Sequence, residues 1–378
     1  MPGLPVSMSC SSSTPVALKH SVVLPPNALS SPVHYQIKLT ATAGDGSTST
    51  NQTHAVEVEA FDLVTSTLSF SNPTTTNSVS CATLTVCSLV GPGGYTGIQT
   101  GALIKWSRSN GADLLRTVSC TPSGTSVCGV ISGTGLGVAK VTGLKKTTEV
   151  IEWRTGEQLT SISCVGEAAT GPNASTTECI VAANEGTVYQ VQVGKTTLVT
   201  HVVTKLSGAA FAACSTASSC TVVDVNGDGV AFNGSTWSST PSNLDASGGV
   251  TSTSCALDGT CVLADSHGGL YSYVAKPKQL TRVAVRESPT LASTSLRLTS
   301  CVVGYCLAVG DDGTITQRVV GVWASTNKGR FAAGDMVRAV SCFGSSSTSP
   351  VGAVCVVASK GGPGLKQKFM KGHVVLVK

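Results

Sequence analysis

Fourteen of the fifteen cysteines in this 378-residue chain fall into seven short pairs, and the first members of successive pairs lie 39 to 50 residues apart. Each pair opens a unit with a small residue before its first cysteine, a short loop, a second cysteine followed by hydrophobic residues, and a turn, usually glycine-containing. This regularity predicts seven copies of one small all-β unit. The pairs are Cys81/Cys87, Cys120/Cys128, Cys164/Cys179, Cys214/Cys220, Cys255/Cys261, Cys301/Cys306 and Cys342/Cys355.

The sixth unit shows the repeat most clearly. Its sequence, LTSCVVGYCLAVGDDGTITQRVVGVWAST, contains four β-type runs separated by turns, and the same order recurs around CIVAANEGTVYQVQV, CVLADSHGGLYSYV and CVVASKGGPGLKQKF. Four strands per repeat and a period of about 43 residues match propeller blades, and seven is a common number at which such a ring closes. An open β-solenoid is the alternative, although its period is usually shorter and stricter. We predict an all-β fold in which residues 66–378 form a seven-bladed β-propeller with one intrablade disulfide per blade.

The spacing of the cysteines favours disulfides over zinc. Facing residues of antiparallel strands bring their Cα atoms within the roughly 4.4 to 6.8 Å that a disulfide spans. None of the pairs has CxxC spacing, and the six histidines are scattered without register to the cysteines. Disulfides at this density indicate an oxidising compartment, so we expect a secreted or cell-surface protein. Cys10 is the one cysteine without a nearby mate.

Two further features repeat with the cysteines. The small residue before each first cysteine suits the innermost strand of a blade, where blades converge around the axis. The tryptophans fall 22 to 33 residues after a first cysteine, on or near outermost strands, where they either pack between blades or stack on a sugar. The small residues are Ser80, Ser119, Ser163, Ala213, Ser254, Ser300 and Ser341, and the tryptophans are Trp106, Trp153, Trp237 and Trp323.

Residues 1–65 do not share the repeat. Hydrophobic alternation from Tyr35 to Thr42, a GDG turn, and renewed alternation through Val56 and Val58 predict a β-hairpin. We interpret the hairpin as the end of a partial Ig/fibronectin-like β-sandwich, with too few strands before it to complete the module. We therefore expect the chain to be part of a longer protein.

Several of these segments resemble known families. The Ser-Cys, loop, Cys and glycine-turn units resemble secreted, disulfide-bearing propeller repeats, and AVGDDGTI resembles the blades of photosystem II assembly-factor and Asp-box propellers. The resemblance covers about residues 66–378 and implies a fold rather than an activity, because NGSTW is only a fragment of the Asp box. The run LPPNAL and the later YQIKLTATAGDGSTS resemble the end of a polycystic-kidney-disease or receptor-for-egg-jelly type module, which implies a large extracellular protein.

Composition excludes several function classes. A net charge of +5, with 12% charged and 4% aromatic residues, provides no basic stripe interleaved with aromatics for nucleic acid. The sequence has neither an apolar run of 18 residues for a membrane span nor an apolar signal core at its N-terminus. Its glycine-rich GTGLGV segment matches neither a dinucleotide fingerprint nor a P-loop.

Asp224, Asn226 and Asp228 have the D-x-N-x-D-G spacing of a calcium-binding loop. Ser235 stands where an EF-hand loop places its bidentate glutamate, and the other units have a plain turn at the same place. A metal-free turn and a calcium site both stay open. No other cofactor is expected.

Charged residues form two further candidate surfaces. Acidic residues at equivalent turns predict an arc on one face that binds a cation or basic partner, supplies acid-base carboxylates, or only forms turns. Lysines near the end of the chain either bind an acidic glycan or discourage edge-to-edge aggregation of a late strand. The acidic residues are Glu185, Asp228, Asp265, Asp311 and Asp312, and the lysines are Lys360, Lys366, Lys368 and Lys371.

Three sequons, at Asn51, Asn173 and Asn233, fall in predicted turns or loops and suit N-glycosylation in a secretory pathway. With the cysteine pairs and no catalytic cluster, they favour a non-enzymatic extracellular scaffold for contacts with other proteins or copies of itself, in a coat, matrix or filament. The alternative is a carbohydrate-binding propeller or a glycan-active hydrolase or lyase, which the low aromatic content disfavours.

Overall fold

The computed structural model builds the chain from β-strands in two compact units, Asp62–Val374 and Met1–Phe61 with Val375–Lys378. No helix of the length and apolarity that a membrane crossing requires occurs among the described residues. These are residues 33–371 apart from 43–47, 59–63, 71–75, 84–85, 101–102, 109–113, 122–125, 134, 143–144, 167–176, 194–197, 203–205, 246–247, 277–278, 283–295, 311–313, 320–321, 327–335, 344–353 and 361–364.

The predicted N-terminal hairpin is present. Strands β1 (Val33–Thr42) and β2 (Thr48–Val58) pair antiparallel, with an irregularity between Lys38 and Thr40. The next strand, β3 (Val64–Phe70), belongs to the larger unit.

Within the described residues, the larger unit contains seven four-stranded antiparallel sheets, and the first six are formed by consecutive strands. A short 3₁₀ turn, Pro92–Gly94, separates the second and third strands of sheet one. Sheet one consists of β4 (Ser78–Cys81), β5 (Val86–Gly91), β6 (Tyr95–Thr100) and β7 (Leu103–Arg108). Sheet two consists of β8 (Thr117–Cys120), β9 (Ser126–Ile131), β10 (Gly135–Thr142) and β11 (Lys145–Arg154). Sheet three consists of β12 (Leu159–Gly166), β13 (Thr177–Ala183), β14 (Val188–Val193) and β15 (Leu198–Val202).

The remaining sheets repeat this order. Sheet four consists of β16 (Ala210–Thr216), β17 (Ser219–Asp224), β18 (Asp228–Phe232) and β19 (Ser242–Asn243). Sheet five consists of β20 (Val250–Cys255), β21 (Thr260–Asp265), β22 (Leu270–Lys276) and β23 (Gln279–Arg282). Sheet six consists of β24 (Leu296–Val302), β25 (Tyr305–Gly310), β26 (Ile315–Val319) and β27 (Val322–Thr326). Sheet seven consists of β28 (Met336–Phe343), β29 (Val354–Lys360), β30 (Leu365–Lys371) and β3.

Sheet seven takes its fourth strand from the start of the unit. β3 pairs antiparallel with β30 along its whole length, from Val64 opposite Lys371 to Phe70 opposite Leu365. β30 therefore has a partner on each side, β29 and β3. The interpretation of the lysines of this segment as protection of a sheet edge is wrong, because the strand that carries Lys366, Lys368 and Lys371 is not an edge strand.

The first strands of the seven sheets contact one another in sequence, and β28 of sheet seven contacts β4 of sheet one. Hydrophobic clusters fill the spaces between neighbouring sheets. One cluster joins Val222 of sheet four to Ile180 of sheet three, and another joins Leu89 of sheet one to Val356 of sheet seven. The core therefore lies between sheets, and it is built largely from small aliphatic side chains and cysteines.

Seven disulfides within the described residues each join the two cysteines of one pair, and each connects facing residues of the first and second strands of a sheet. Their Cα–Cα distances are 3.9 to 4.1 Å, shorter than the range expected from the sequence. Directly facing, non-hydrogen-bonded pairs lie closest in an antiparallel ladder, which accounts for the short distances. The bonds are Cys81–Cys87, Cys120–Cys128, Cys164–Cys179, Cys214–Cys220, Cys255–Cys261, Cys301–Cys306 and Cys342–Cys355.

The two cysteines of a pair differ in burial, a difference that the sequence pattern did not predict. The second cysteine, on the second strand of its sheet, is at most 3% exposed, and it is more deeply buried than the first in every pair. The disulfide role predicted for the second cysteines is confirmed, and these cysteines are also core residues. Their sulfurs pack in the hydrophobic layers between sheets, so their role is structural. These residues are Cys87, Cys128, Cys179, Cys220, Cys261, Cys306 and Cys355.

Candidate functional site

The residue before each first cysteine connects its sheet to the next. The serine Oγ accepts a hydrogen bond from the backbone N–H of the first cysteine in the following sheet, as Ser80 does from Cys120 at 2.9 Å. Ser341 of sheet seven accepts from Cys81 of sheet one at 3.0 Å, so the series returns to its start. We call these six serines the serine ring: Ser80, Ser119, Ser163, Ser254, Ser300 and Ser341.

The hydrogen bonds of the serine ring give a further reason for the small residue before each first cysteine. Sequence reasoning placed them here because only small side chains fit near the axis, and a hydroxyl was not required. The structure shows that each serine hydroxyl accepts a hydrogen bond from a backbone N–H on the first strand of the next sheet. That N–H points away from its own sheet and would otherwise lack a partner. Ala213 occupies the seventh position and has no hydroxyl to offer Cys255.

A channel of about 310 Å³ runs between the first strands. Serine and threonine side chains dominate its lining, and many of their hydroxyls take part in hydrogen bonds between sheets. Ser252 Oγ accepts from the Thr299 N–H at 3.1 Å, and Thr251 Oγ1 donates to the Leu296 carbonyl at 2.7 Å. The channel is therefore polar but already hydrogen-bonded along much of its wall.

One end of the channel widens into a cavity of about 680 Å³ whose lining includes Arg116, Arg297 and Arg338. Arg338 and Thr251 line both spaces, so the cavity is the mouth of the channel. We call the three residues the arginine mouth. Among the described residues that line it, none is an aspartate or glutamate, so the cavity concentrates positive charge.

Each arginine stands four residues before the first cysteine of its unit: Cys120, Cys301 and Cys342. Equal positions in successive first strands lie at the same level around the channel, which brings side chains far apart in sequence to one opening. The pairing of β24 with β25 shifts between Leu296 and Leu298, and that of β28 with β29 shifts between Val337 and Ala339. Arg297 and Arg338 are thus bulge residues, and a bulge re-aims the side chain that it carries.

Threonines occupy the same bulge in sheets three and five. Thr160 Oγ1 donates to the carbonyl oxygens of Ala182 and Ala210, at 3.0 and 2.6 Å, and thereby joins sheet three to sheet four. A threonine at the equivalent position therefore ties two sheets together, whereas the arginines add charge to the mouth, which Thr251 also lines. Sequence reasoning assigned no arginine cluster, although the constant offset from the cysteines was a signal that could have revealed it.

The surroundings of Arg116 leave one donor without a partner. Its Nη1 and Nη2 atoms contact the side-chain amide of Gln158, whose oxygen accepts from both. Its Nε atom is buried and has no hydrogen-bond partner within the described structure. Gln158 therefore positions the Arg116 guanidinium at the wall of the cavity.

The proposed calcium residues form a tight turn between β17 and β18. Buried Asp224 accepts backbone N–H groups with both oxygens: Oδ1 from Asn226 and Asp228 at 2.9 and 3.0 Å, and Oδ2 from Ser207 at 3.2 Å. Asp228 Oδ1 accepts from the side chain of Asn243 at 3.1 Å. In the part of the chain that is described, no three His, Cys, Asp or Glu residues form a metal-binding group. Calcium binding at this turn stays a prediction.

The acidic arc divides into structural and exposed residues. Buried Asp265 accepts two backbone N–H groups of its own turn, at 2.8 and 2.6 Å, so its carboxylate holds that turn. Glu185 is exposed. Asp311 and Asp312 lie outside the described residues.

The tryptophans occupy the ends of the sheets as expected. Trp323 on β27 is buried in a cluster between sheets five and six, and Trp237 packs against Phe232 with ring centroids 5.2 Å apart. Trp106 and Trp153 lie on β7 and β11, the fourth strands of sheets one and two. Trp237 and Trp323, the two tryptophans whose side chains are described, therefore pack against hydrophobic residues, which favours a packing role over sugar stacking.

Two buried tyrosines take part in hydrogen bonds. Burial raises the pKa of Tyr273 and of Tyr305 above the usual value, so both phenols stay protonated at neutral pH. Tyr305 donates to Gln317 Oε1 at 3.3 Å.

Only one sequon lies in a described turn. Asn233 Oδ1 accepts from the backbone N–H groups of Ser235 and Thr236, at 3.0 and 2.8 Å, in an exposed turn after β18. Asn51 lies within β2, so its predicted placement in a turn or loop is wrong. Asn173 and Cys10 lie outside the described residues.

Two solved structures share the fold of this chain. One is YCF48 from Cyanidioschyzon merolae, with a TM-score of 0.57 and 12% identity, covering 81% of this chain and 98% of that chain. The other is YCF48 bound to D1 peptide, with a TM-score of 0.55 and 11% identity, covering 81% of this chain and 94% of that chain. No protein-family model matches the chain, and no curated protein matches its sequence. The likeness shows a propeller fold.

Proposed function

We propose that the Asp62–Val374 unit is a seven-bladed β-propeller that acts as a non-enzymatic docking scaffold for other proteins. The seven sheets are its blades, and β3 completes the seventh. The serine ring supports this interpretation, because its hydrogen bonds run from sheet to sheet and from the seventh to the first. The single observation that carries the function is the 680 Å³ cavity at the channel mouth, framed by disulfide-stapled sheets.

A stapled frame suits docking. A preformed cavity loses little conformational entropy when a partner binds, and disulfides hold the first strands of sheets four to seven, which contribute mouth residues. The structure of YCF48 with D1 peptide is an example of a protein of this fold with a bound peptide. Two lining leucines and a phenylalanine add apolar area to the arginines, as protein-binding pockets commonly do.

A non-enzymatic role agrees with the state of the polar groups. Hydroxyls of the channel wall already form hydrogen bonds between sheets, as those of Thr251 and Ser252 do. The arginines of the mouth bind anions well but are poor proton-transfer groups. The described mouth is therefore equipped to bind rather than to react.

The disulfides support a secreted or cell-surface location, since an oxidising compartment maintains them. In such a location, Asn51, Asn173 and Asn233 become candidates for glycosylation. The β1–β2 hairpin would be the described part of the Ig-like module, within a larger coat, matrix or filament protein.

Capture of partners by the folded protein tests the proposal. The oxidised chain is immobilised and exposed to the extracellular and surface proteins of the cells that produce it, beside a reduced and alkylated sample. Captured proteins are then purified and titrated against the oxidised chain. We expect saturable binding that the reduced sample lacks. An absence of protein binding, with binding or turnover on a glycan array, would overturn the scaffold in favour of the carbohydrate function.

A further inference from the structure

The arginine mouth combines charge with apolar surface. Arg116, Arg297 and Arg338 share the lining with Leu114 and Phe211. Leu114 is 46% exposed and lies two residues before Arg116. A site with both components fits a ligand that presents a negative group next to an apolar one.

We propose that this mouth binds an acidic segment of a partner protein, in which glutamate or aspartate carboxylates alternate with apolar side chains. The inference rests on the proposed scaffold function and specifies the chemistry of its partner. Guanidinium groups pair with carboxylates through two parallel hydrogen bonds, and the exposed side chains of Arg297 and Arg338 line this opening. Arg116, whose Nη atoms contact Gln158, adds positive charge beside them.

The apolar half of the lining favours a peptide over a sulfated glycan. Besides Leu114 and Phe211, the mouth includes Val250, Leu298 and Val337. A sulfated sugar offers anions but little apolar surface to cover these side chains, whereas a leucine beside a glutamate offers both. Burial of leucine-sized side chains adds affinity in proportion to the apolar area removed from water.

A fluorescence-anisotropy titration with a defined probe tests the proposal. The probe is a fluorescein-labelled peptide of alternating leucine and glutamate, compared with the same peptide carrying glutamine in place of glutamate. The variants are Arg297→Gln, Arg338→Gln and Leu114→Ser. Arg318→Gln, on β26 outside the mouth, matches the loss of charge, and Leu257→Ser, 55% exposed elsewhere, matches the loss of an exposed leucine.

We expect the glutamate peptide to bind at least about tenfold more tightly than the glutamine peptide, and each mouth arginine variant to weaken it about tenfold. Leu114→Ser should weaken binding, and the two matched controls should leave it unchanged. Equal binding of the two peptides, or equal effects of mouth and control variants, would overturn the proposal. Stronger binding of a heparin hexasaccharide than of the glutamate peptide would also overturn it, in favour of a glycan ligand.

The same variants separate this inference from the scaffold function. A partner that is captured equally by the wild type and by Arg297→Gln/Arg338→Gln would overturn the acidic-segment proposal and leave the scaffold standing. Capture of no partner by either protein would overturn the scaffold itself. Unfolding curves of each variant confirm that the fold is intact before binding is measured.

Discussion

The junction between sheets four and five differs from the other six junctions. At those six, a serine accepts the N–H of the next sheet's first cysteine, with distances of 2.8 to 3.0 Å. At the seventh, Ala213 provides only a methyl group. The hydroxyl of Tyr273 lies here instead, hydrogen-bonded to Thr221 of sheet four at 2.9 Å and to Thr253 of sheet five at 2.6 Å.

A repeated fold therefore sets the geometry of a junction but not the residues that hold it. Tyr273 is fully buried and reaches from β22 to Thr221 of the neighbouring sheet, so its hydroxyl spans the same junction. A buried hydroxyl network of this kind stabilises only when each member is satisfied. The six serine junctions and the one tyrosine junction should therefore respond differently to mutation.

The largest effects are expected from the disulfides beside the two kinds of junction. Replacing Cys164 and Cys179 with alanine opens a loop of 15 residues and should cost about 3 kcal/mol, whereas replacing Cys255 and Cys261 opens a loop of 6 and should cost about 2 kcal/mol. The Cys164 N–H also bonds to the serine ring, so release of its strand loosens a junction that Cys255 does not support in that way. Denaturant unfolding measures both.

Because loop length alone predicts this order, the matched comparison for the junctions is Cys214/Cys220, which also spans 6 residues and whose Cys214 N–H bonds to Ser163. Equal costs for Cys214/Cys220 and Cys255/Cys261 would contradict the difference between junctions.

The next largest effect separates the tyrosine junction from an ordinary buried phenol. Tyr273→Phe leaves Thr221 and Thr253 without their shared partner across the junction, and should lower the free energy of unfolding by about 2 kcal/mol. Tyr305→Phe is the matched control, because its single bond to Gln317 lies within sheet six. We expect about 1 kcal/mol for the control. If both substitutions cost the same in thermal or chemical unfolding, the hydroxyl of Tyr273 has no special role between sheets.

A smaller effect is expected at any one member of the serine ring. Ser300→Ala removes the acceptor for the Cys342 N–H and should cost about 1 kcal/mol, with faster hydrogen exchange at that amide. Ser242→Ala on the outermost strand of sheet four should be nearly neutral. Unchanged exchange at Cys342 would show that the hydrogen bond contributes nothing to closure.

Much of the fold follows from short-range sequence signals. Each disulfide spans 5 to 15 residues, so cysteine spacing predicts which strands face each other without knowledge of the rest of the chain. The pairing of β3 with β30 joins the two ends of the unit, and no local pattern specifies a partner at that distance. The boundary at residue 65 that the sequence predicts therefore falls inside β3.

The candidate site was harder to predict than the fold. Arg116, Arg297 and Arg338 lie up to 222 residues apart, and they converge only because the sheets repeat around one channel. Two of these arginines are bulge residues, and bulges follow from strand pairing rather than from residue type. The conspicuous acidic turn at Asp224, by contrast, proved to be held by its own backbone hydrogen bonds.

The smallest predicted effect is a gain at the exceptional junction. Ala213→Ser supplies the missing hydroxyl to the Cys255 N–H and should raise the free energy of unfolding by about 0.5 to 1 kcal/mol. Ala308→Ser, at a buried position on β25 outside the ring, should instead destabilise the protein, because the new hydroxyl would be buried at a site that offers it no hydrogen-bond partner. In the Tyr273→Phe background, Ala213→Ser should raise the free energy of unfolding by more, because the Tyr273 hydroxyl no longer holds this junction and the new serine hydroxyl replaces it. Equal gains in both backgrounds would show that the serine and tyrosine contacts act independently, and the two kinds of junction would not be substitutes for each other.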